Sequence, residues 1–143
     1  MKFSIFIDKN REEEIQLYLH EETGLIEQIQ SLITDYSSQI NGFKDKEIYR
    51  LSINDIYCFT TENNKVFAMT ENDKFLLKER LYTIENGLSN DFIKINKSCI
   101  ANIRKIERFN ASISGTLIVK FKNGYIDYVS RRSVKTVKER LGL

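Results

Sequence analysis

Pairs of Asn and Asp cut residues 47–77 into short apolar runs, and this punctuation limits the fold more than any other feature. Residues 47–53 and 56–62 are parted by Asn54-Asp55; Asn63-Asn64 leads into 66–70 and Asn72-Asp73 into 75–77. Both residue types tolerate left-handed backbone and bond their own chain two residues on, so they end strands and open turns. Short strands at close spacing with turn residues between them predict a mainly β domain. The pattern returns at 113–122, where Asn123-Gly124 sets a tight hairpin into 125–129.

Helical periodicity interrupts the strands in three places. Leu25, Ile26, Ile29, Leu32, Ile33 and Tyr36 recur at spacings of three and four, predicting an amphipathic helix over 23–37 with Thr23 at its N-cap. Leu77, Leu81, Ile84 and Leu88 predict a second, with Gly87 at its C-terminal end. Residues 131–141 form a third, started by Ser130, with Val134, Val137 and Leu141 inward. Ahead of the first helix, residues 3–8 alternate weakly and residues 14–20 alternate apolar and polar, and both read as strands, with a turn at Asp8, Lys9 and Asn10. The simplest organisation is a ββα N-terminal unit over 1–42, a boundary near Ser37, Ser38, Asn41 and Gly42, and a domain over 43–143.

A chain of 143 residues can bury roughly 68–70% of its unfolded surface, enough for a self-sufficient core. No window holds ~18 successive apolar residues, and the N-terminus is charged too early for a secretory signal, so a cytoplasmic location is expected. Cys58 and Cys99 sit in apolar, strand-like settings and read as buried free thiols. The single histidine, His20, leaves little material for a catalytic triad or a His-rich metal site, and the phosphate-binding glycine motifs are missing. No enzymatic activity and no cofactor are expected.

Charge is polarised along the chain. Residues 1–72 carry 7 Lys/Arg against 13 Asp/Glu (7 − 13 = −6), and residues 73–143 carry 15 against 7 (15 − 7 = +8), matching the overall +2. Such asymmetry points to a nucleic-acid-facing half, the alternative being ion pairing between the halves. Within 92–108 the apolar arms Phe92, Ile93, Ile95 and Ile100, Ile103, Ile106 flank Lys94, Lys97, Arg104, Lys105 and Arg108, with Glu107 the only acid. Asn96, Lys97 and Ser98 fall at the turn. A cationic tip held between anchored strands suits a polyanion; the plainer reading is a solvated strand pair. No helix-turn-helix pair and no aromatic RNA-recognition motif is evident.

Residues 44–143 resemble a LytTR domain, a DNA-binding module of bacterial transcription regulators. The resemblance runs through Asp55-Ile56-Tyr57-Cys58-Phe59, the strand at 66–70, residues 81–88, and Val129-Ser130-Arg131-Arg132. Its most specific element is residues 92–102, which fit F-x-[RK]-I-x-[RK]-S-x-[IVL]-x-N. Asn96 stands where the family commonly has His, Lys94 and Lys97 replace Arg, and Thr60 replaces Glu. Lysine keeps the charge but lacks the planar fork that grips guanine bidentately.

The resemblance implies short antiparallel sheets whose loops enter successive major grooves of duplex DNA, often at paired repeats. Carried over by position, the base-reading candidates are Asn64, Lys97 and Arg132, and the phosphate candidates are Lys94, Ser98, Ser133 and Lys135. The short relatives it resembles lack a receiver domain; a homodimer and an inhibitory membrane protein are partner hypotheses. Against these stand Arg132 simply paired with Asp127, Asn64 as a mere turn former, and Lys135 as solvated charge. Two rival functions are a protein-interaction module without DNA and a thiol redox sensor at Cys58 or Cys99.

Overall fold

Two hairpins turn on residues in left-handed backbone. Strands β1 (Gln39–Lys44) and β2 (Glu47–Ser52) are joined by Asp45 (φ 51°) and Lys46 (φ 64°), and β3 (Cys58–Glu62) and β4 (Lys65–Met69) by Asn63 (φ 50°) and Asn64 (φ 63°). Positive φ at both central residues matches the twist of the flanking strands, which is why Asn and Asp recur there. The computed structural model describes residues 1–11, 14–37, 39–111 and 114–143, and the side chains of all of these except 34–37.

After β4 come β5 (Lys74–Leu77), helix α2 (Leu81–Asn86), β6 (Phe92–Asn96), β7 (Cys99–Asn102), β8 (Ile106–Ala111), β9 (Leu117–Phe121), β10 (Ile126–Val129) and helix α3 (Arg131–Leu141). Seven strands form an antiparallel sheet in the order β2-β1-β5-β4-β3-β7-β6, and three form a second, β10-β9-β8. Helix α1 (Gly24–Ser37) precedes them. The expected mainly β architecture holds.

The larger sheet separates two apolar cores. Phe59, Val66, Phe75, Phe92 and Ile100 pack on one face with Ile84 of α2. Cys58, Ile93, Ile95, Cys99 and Ala101 pack on the other with Val119 and Phe121 of the smaller sheet and Val137 of α3. Alternation along β3 and β7 therefore sends successive side chains into different cores, so all four residues of β7 are buried. Each fully buried Phe or Ile contributes about 1.5–3 kcal/mol. The Asn123 side chain, donating to Thr70 O at 3.0 Å, ties the β9–β10 turn to the larger sheet.

Several expectations are corrected. Residues 3–8 and 14–20 form no strand, so only the helix of the anticipated ββα unit is present among the described residues. A strand pair alone is marginal in water without a face to bury, and Phe3, Phe6, Ile7, Ile15 and Tyr18 are all exposed. The stretch around Asn41-Gly42 is strand β1, inside the larger sheet, where Phe43 pairs with Leu76. Leu77 belongs to β5 opposite Val66, which leaves α2 only six residues. Residues 100–106 do not run as one strand: a 3₁₀ turn at Ile103–Lys105 divides β7 from β8. The strand expected over 113–122 is described from Leu117; Ile113 lies outside the described residues. Ser130 is the N-cap of α3, but its hydroxyl donates to the Ser133 hydroxyl at 3.0 Å and makes no bond to a helix N–H.

Candidate nucleic-acid interface

Three loops leave the fold at one end of the larger sheet. Strands β3 and β7 are antiparallel neighbours with Thr60 opposite Cys99, so the turn after β3 (Asn63-Asn64) and the turn before β7 (Lys97-Ser98) emerge together. The second turn is bonded to the end of β3, where Thr61 N–H donates to Ser98 O at 2.9 Å. The start of α3 is joined to the same end: Ser130 N–H donates to Ile95 O at 2.8 Å, and α3 packs on β6.

Strand β6 changes register next to its tip. Lys94 lies opposite Ile100, yet Asn96 lies opposite Cys99, so a bulge separates them. A bulge breaks the two-residue alternation and re-aims a side chain. Here it lets Ile95 and Asn96 both be buried in succession. Asn96 donates to Asp127 Oδ1 at 3.0 Å and to Tyr128 O at 2.8 Å, and its Oδ1 accepts Ser98 N–H at 2.8 Å. Asp127 also accepts the Tyr125 hydroxyl on Oδ2 at 3.0 Å and Tyr128 N–H on Oδ1 at 2.8 Å. Burial, with the Asp127 charge beside it, pushes the Tyr125 phenol far above its ordinary range.

Among the expected base readers, Asn64, Lys97 and Arg132 are all exposed, on the first turn, the second turn and the first turn of α3. None of the three side chains makes a hydrogen bond or ion pair with another described residue. Arg132 in particular is not paired with Asp127, whose partners are Asn96, Tyr125 and Tyr128. The neighbouring Arg131 is used by the fold, its Nε donating to Ser114 O at 2.8 Å.

The expected phosphate contacts divide. Ser98 and Ser133 are half-buried at the tip and in the first turn of α3, and Lys135 is exposed one position beyond Val134. Lys94 lies further from the tip, exposed beside α2 with its Nζ 3.7 Å from Glu85. Asn96, expected at the turn with Lys97 and Ser98, is instead the buried last residue of β6, and its bonding to Asp127 was not foreseen. The signal for Asn96 is an Asn, a poor strand former, closing an isoleucine-rich strand.

Other chemistries find little support in the geometry. Among the described residues, no group of three or more His, Cys, Asp or Glu side chains is placed to hold a metal. Cys58 and Cys99 are free and buried. Hydrogen bonding to Cys58, together with burial, raises the Cys99 thiol well above its ordinary pKa, the condition of an inert thiol.

Comparison with known proteins agrees with this architecture. The model of the LytTr DNA-binding domain family matches residues 46–142. The chain is 36% identical over 148 residues to an uncharacterized HTH-type transcriptional regulator of Staphylococcus aureus strain NCTC 8325, covering 100% of this chain and 99% of that protein. A counterpart from the bovine strain RF122 is 37% identical over the same length and coverage. A solved LytTr DNA-binding domain from Bacillus cereus superposes with a TM-score of 0.71 at 19% identity, covering 74% of this chain and 98% of that one. With the family model matched from the β1–β2 turn through the final helix, and the Staphylococcus aureus relatives covered to 99% of their length, this chain belongs to the LytTr DNA-binding domain family.

Proposed function

We propose that the chain is a transcriptional regulator that reads duplex DNA with the three loops at the tip end of its larger sheet. Asn64, Lys97 and Arg132 contact base edges. Ser98, Ser133 and Lys135 contact phosphates, and Lys94 joins them by leaving Glu85. The observation that carries this reading is that the Lys97-Ser98 turn is bonded to the end of β3 through Thr61–Ser98 and the start of α3 to the end of β6 through Ser130–Ile95, with Asn64, Lys97 and Arg132 exposed there and unpartnered among the described residues. Arg132 can bond guanine O6 and N7 together, and the N-terminus of α3 favours a phosphate. The activity is binding, not catalysis, and it operates in the cytoplasm, where DNA is accessible; no described helix is long and apolar enough to cross a membrane.

A second copy of the chain on paired repeats completes the proposal. The exposed apolar side chains of Leu32 and Ile33 on α1 are what such a copy, or a restraining membrane protein, would use.

Sites selected by the chain from a random duplex pool, followed by titration at several salt concentrations, test the reading. The slope of log K against log salt falls by ~0.9 for each phosphate contact removed, as in Lys135→Ala. Arg132→Ala relaxes preference at one base position by about 1–3 kcal/mol. Complexes with two chains per selected duplex support the paired assembly. A folded chain that binds no duplex even at low salt refutes the proposal.

A further inference from the structure

We propose that Asn96 is the positioning residue of the DNA-reading face: it touches no DNA, and it sets the three contact loops in one spatial register. This rests on the loop-based reading above.

Asn96 is only 3% exposed, although Lys97 beside it is exposed. Its side chain is used almost to capacity, with both amide hydrogens donated and one oxygen lone pair occupied. Those bonds lead to each loop in turn. Through Ser98 N–H it holds the residue beside Lys97, and Ser98 O in turn accepts Thr61 N–H, three residues before Asn64. Through Asp127 and Tyr128 O it holds the end of β10, from which Ser130 and Arg132 follow directly. The bulge that turns Asn96 into this position places it where the three chain segments meet.

A buried amide joined to two backbones and to the Asp127 carboxylate differs in consequence from a contact residue. Losing a phosphate contact lowers affinity for every duplex and reduces the salt slope. Losing the brace leaves the cations in place but lets Lys97 and Arg132 shift relative to each other, so affinity for unrelated DNA and the salt slope persist while discrimination collapses. The loss expected is that of about one base contact or more, roughly 10- to 100-fold on the preferred duplex.

The test compares wild type with Asn96→Ala, Asn96→Leu, Asn96→His and Asp127→Ala. Each is titrated at pH 8 against a duplex selected by the wild type and against its scrambled sequence, with folding checked by circular dichroism. Asn96→Ala and Asn96→Leu are expected to lose preference for the selected duplex while staying within about threefold of wild type on the scrambled one, at unchanged salt slope. Leucine restores volume but no bond, so filling space does not rescue. Neutral histidine offers one ring nitrogen to accept from Ser98 and one N–H to donate to Asp127, and regains most of the preference. Asp127→Ala removes one of Asn96's two acceptors and shows a smaller loss of the same kind; with histidine it carries the test should the alanine and leucine variants not fold. Lys97→Ala and Arg132→Ala should each cost far less in the Asn96→Ala background than alone. Preference within twofold of wild type in folded Asn96→Ala or Asp127→Ala overturns the proposal, as does equal loss on both duplexes. A wild-type chain that fails to prefer any selected duplex sinks the loop-based reading instead.

Discussion

Asn102, the final residue of the most specific sequence element, makes a prediction that separates folding from recognition. It sits at the end of β7 away from the Lys97-Ser98 turn, only 2% exposed. Its Nδ2 donates to Ile56 O at 2.9 Å, and its Oδ1 accepts Arg104 N–H at 3.1 Å, capping the 3₁₀ turn. Asn102→Ala removes both bonds at once. Ile56 is fully buried, so its carbonyl is left without that partner in an apolar setting, a cost of about 1–3 kcal/mol. Loss of the cap adds about 1 kcal/mol, with Arg104 N–H near enough to solvent to find water. The sum is about 3 kcal/mol, which lowers the melting temperature by ~10 °C for a domain of this size.

Urea and thermal unfolding followed by circular dichroism measure this directly, and a domain of ordinary stability stays folded at 25 °C after such a loss. Affinity for the selected duplex, measured on the folded variant, should match wild type. A destabilisation under ~1 kcal/mol at unchanged m value would contradict the burial argument. A tenfold loss of binding by a variant still fully folded would instead make Asn102 part of the recognition surface.

Three further predictions concern the frame and its titrating groups. A Cβ on Gly42 would meet Leu51 Cδ1 at 2.6 Å and Phe75 Cβ at 2.7 Å, so Gly42→Ala should cost about 1–3 kcal/mol in urea unfolding, and a variant as stable as wild type refutes the close approach. Tyr125 has a folded pKa above its unfolded value of ~10, so its contribution to stability is complete below that pH and is lost as pH rises toward the folded value. Absorbance titration of folded protein should show no difference between wild type and Tyr125→Phe at pH ~10, and Tyr125→Phe should flatten the alkaline loss of stability; a phenol signal lost with Tyr125 at pH ~10 in folded protein would contradict this. Cys58 and Cys99 should react with a thiol reagent only as fast as the protein unfolds, and rapid modification of the native chain would revive the redox-sensor reading.

What the sequence revealed follows from which constraints are local. The turns at Asn63-Asn64 and Asn123-Gly124 were legible because left-handed backbone narrows the choice of residue at the turn itself. Helix α3 was legible because Val134, Val137 and Leu141 keep one face over its whole length. Where the outcome depended on a distant partner, the pattern misled. Residues 3–8 alternate as a strand should, but no sheet edge receives them. Leu77 keeps helical spacing with Leu81, yet pairing with Val66 claims it for β5. Asn41-Gly42 reads as a boundary, and the glycine is there because Leu51 and Phe75 leave no room for a side chain. The base-reading candidates came from family position and lie exposed on two turns and in the first turn of α3; the bonding of Asn96 beneath them was hidden, because one bulge changed where Asn96 points.

That hidden brace bears on how loops can serve where many regulators use a helix. Ordering a loop on binding costs backbone freedom, roughly 1–2 kcal/mol per residue fixed. Here the backbone of Ser98 is bonded to Thr61 of β3 and that of Ser130 to Ile95 of β6 before any ligand arrives, so on the proposed reading the side chains of Asn64, Lys97 and Arg132 would bear most of the ordering cost, at about 0.5–1.5 kcal/mol each. The bonds from Asn96 are themselves donated by a neutral amide, and they contain no ion pair. Such a brace does not weaken as salt rises, whereas phosphate contacts do. Salt should therefore erode affinity for all duplexes while leaving the geometry that distinguishes them intact, so the ratio of selected to scrambled binding should change far less with salt than either affinity alone.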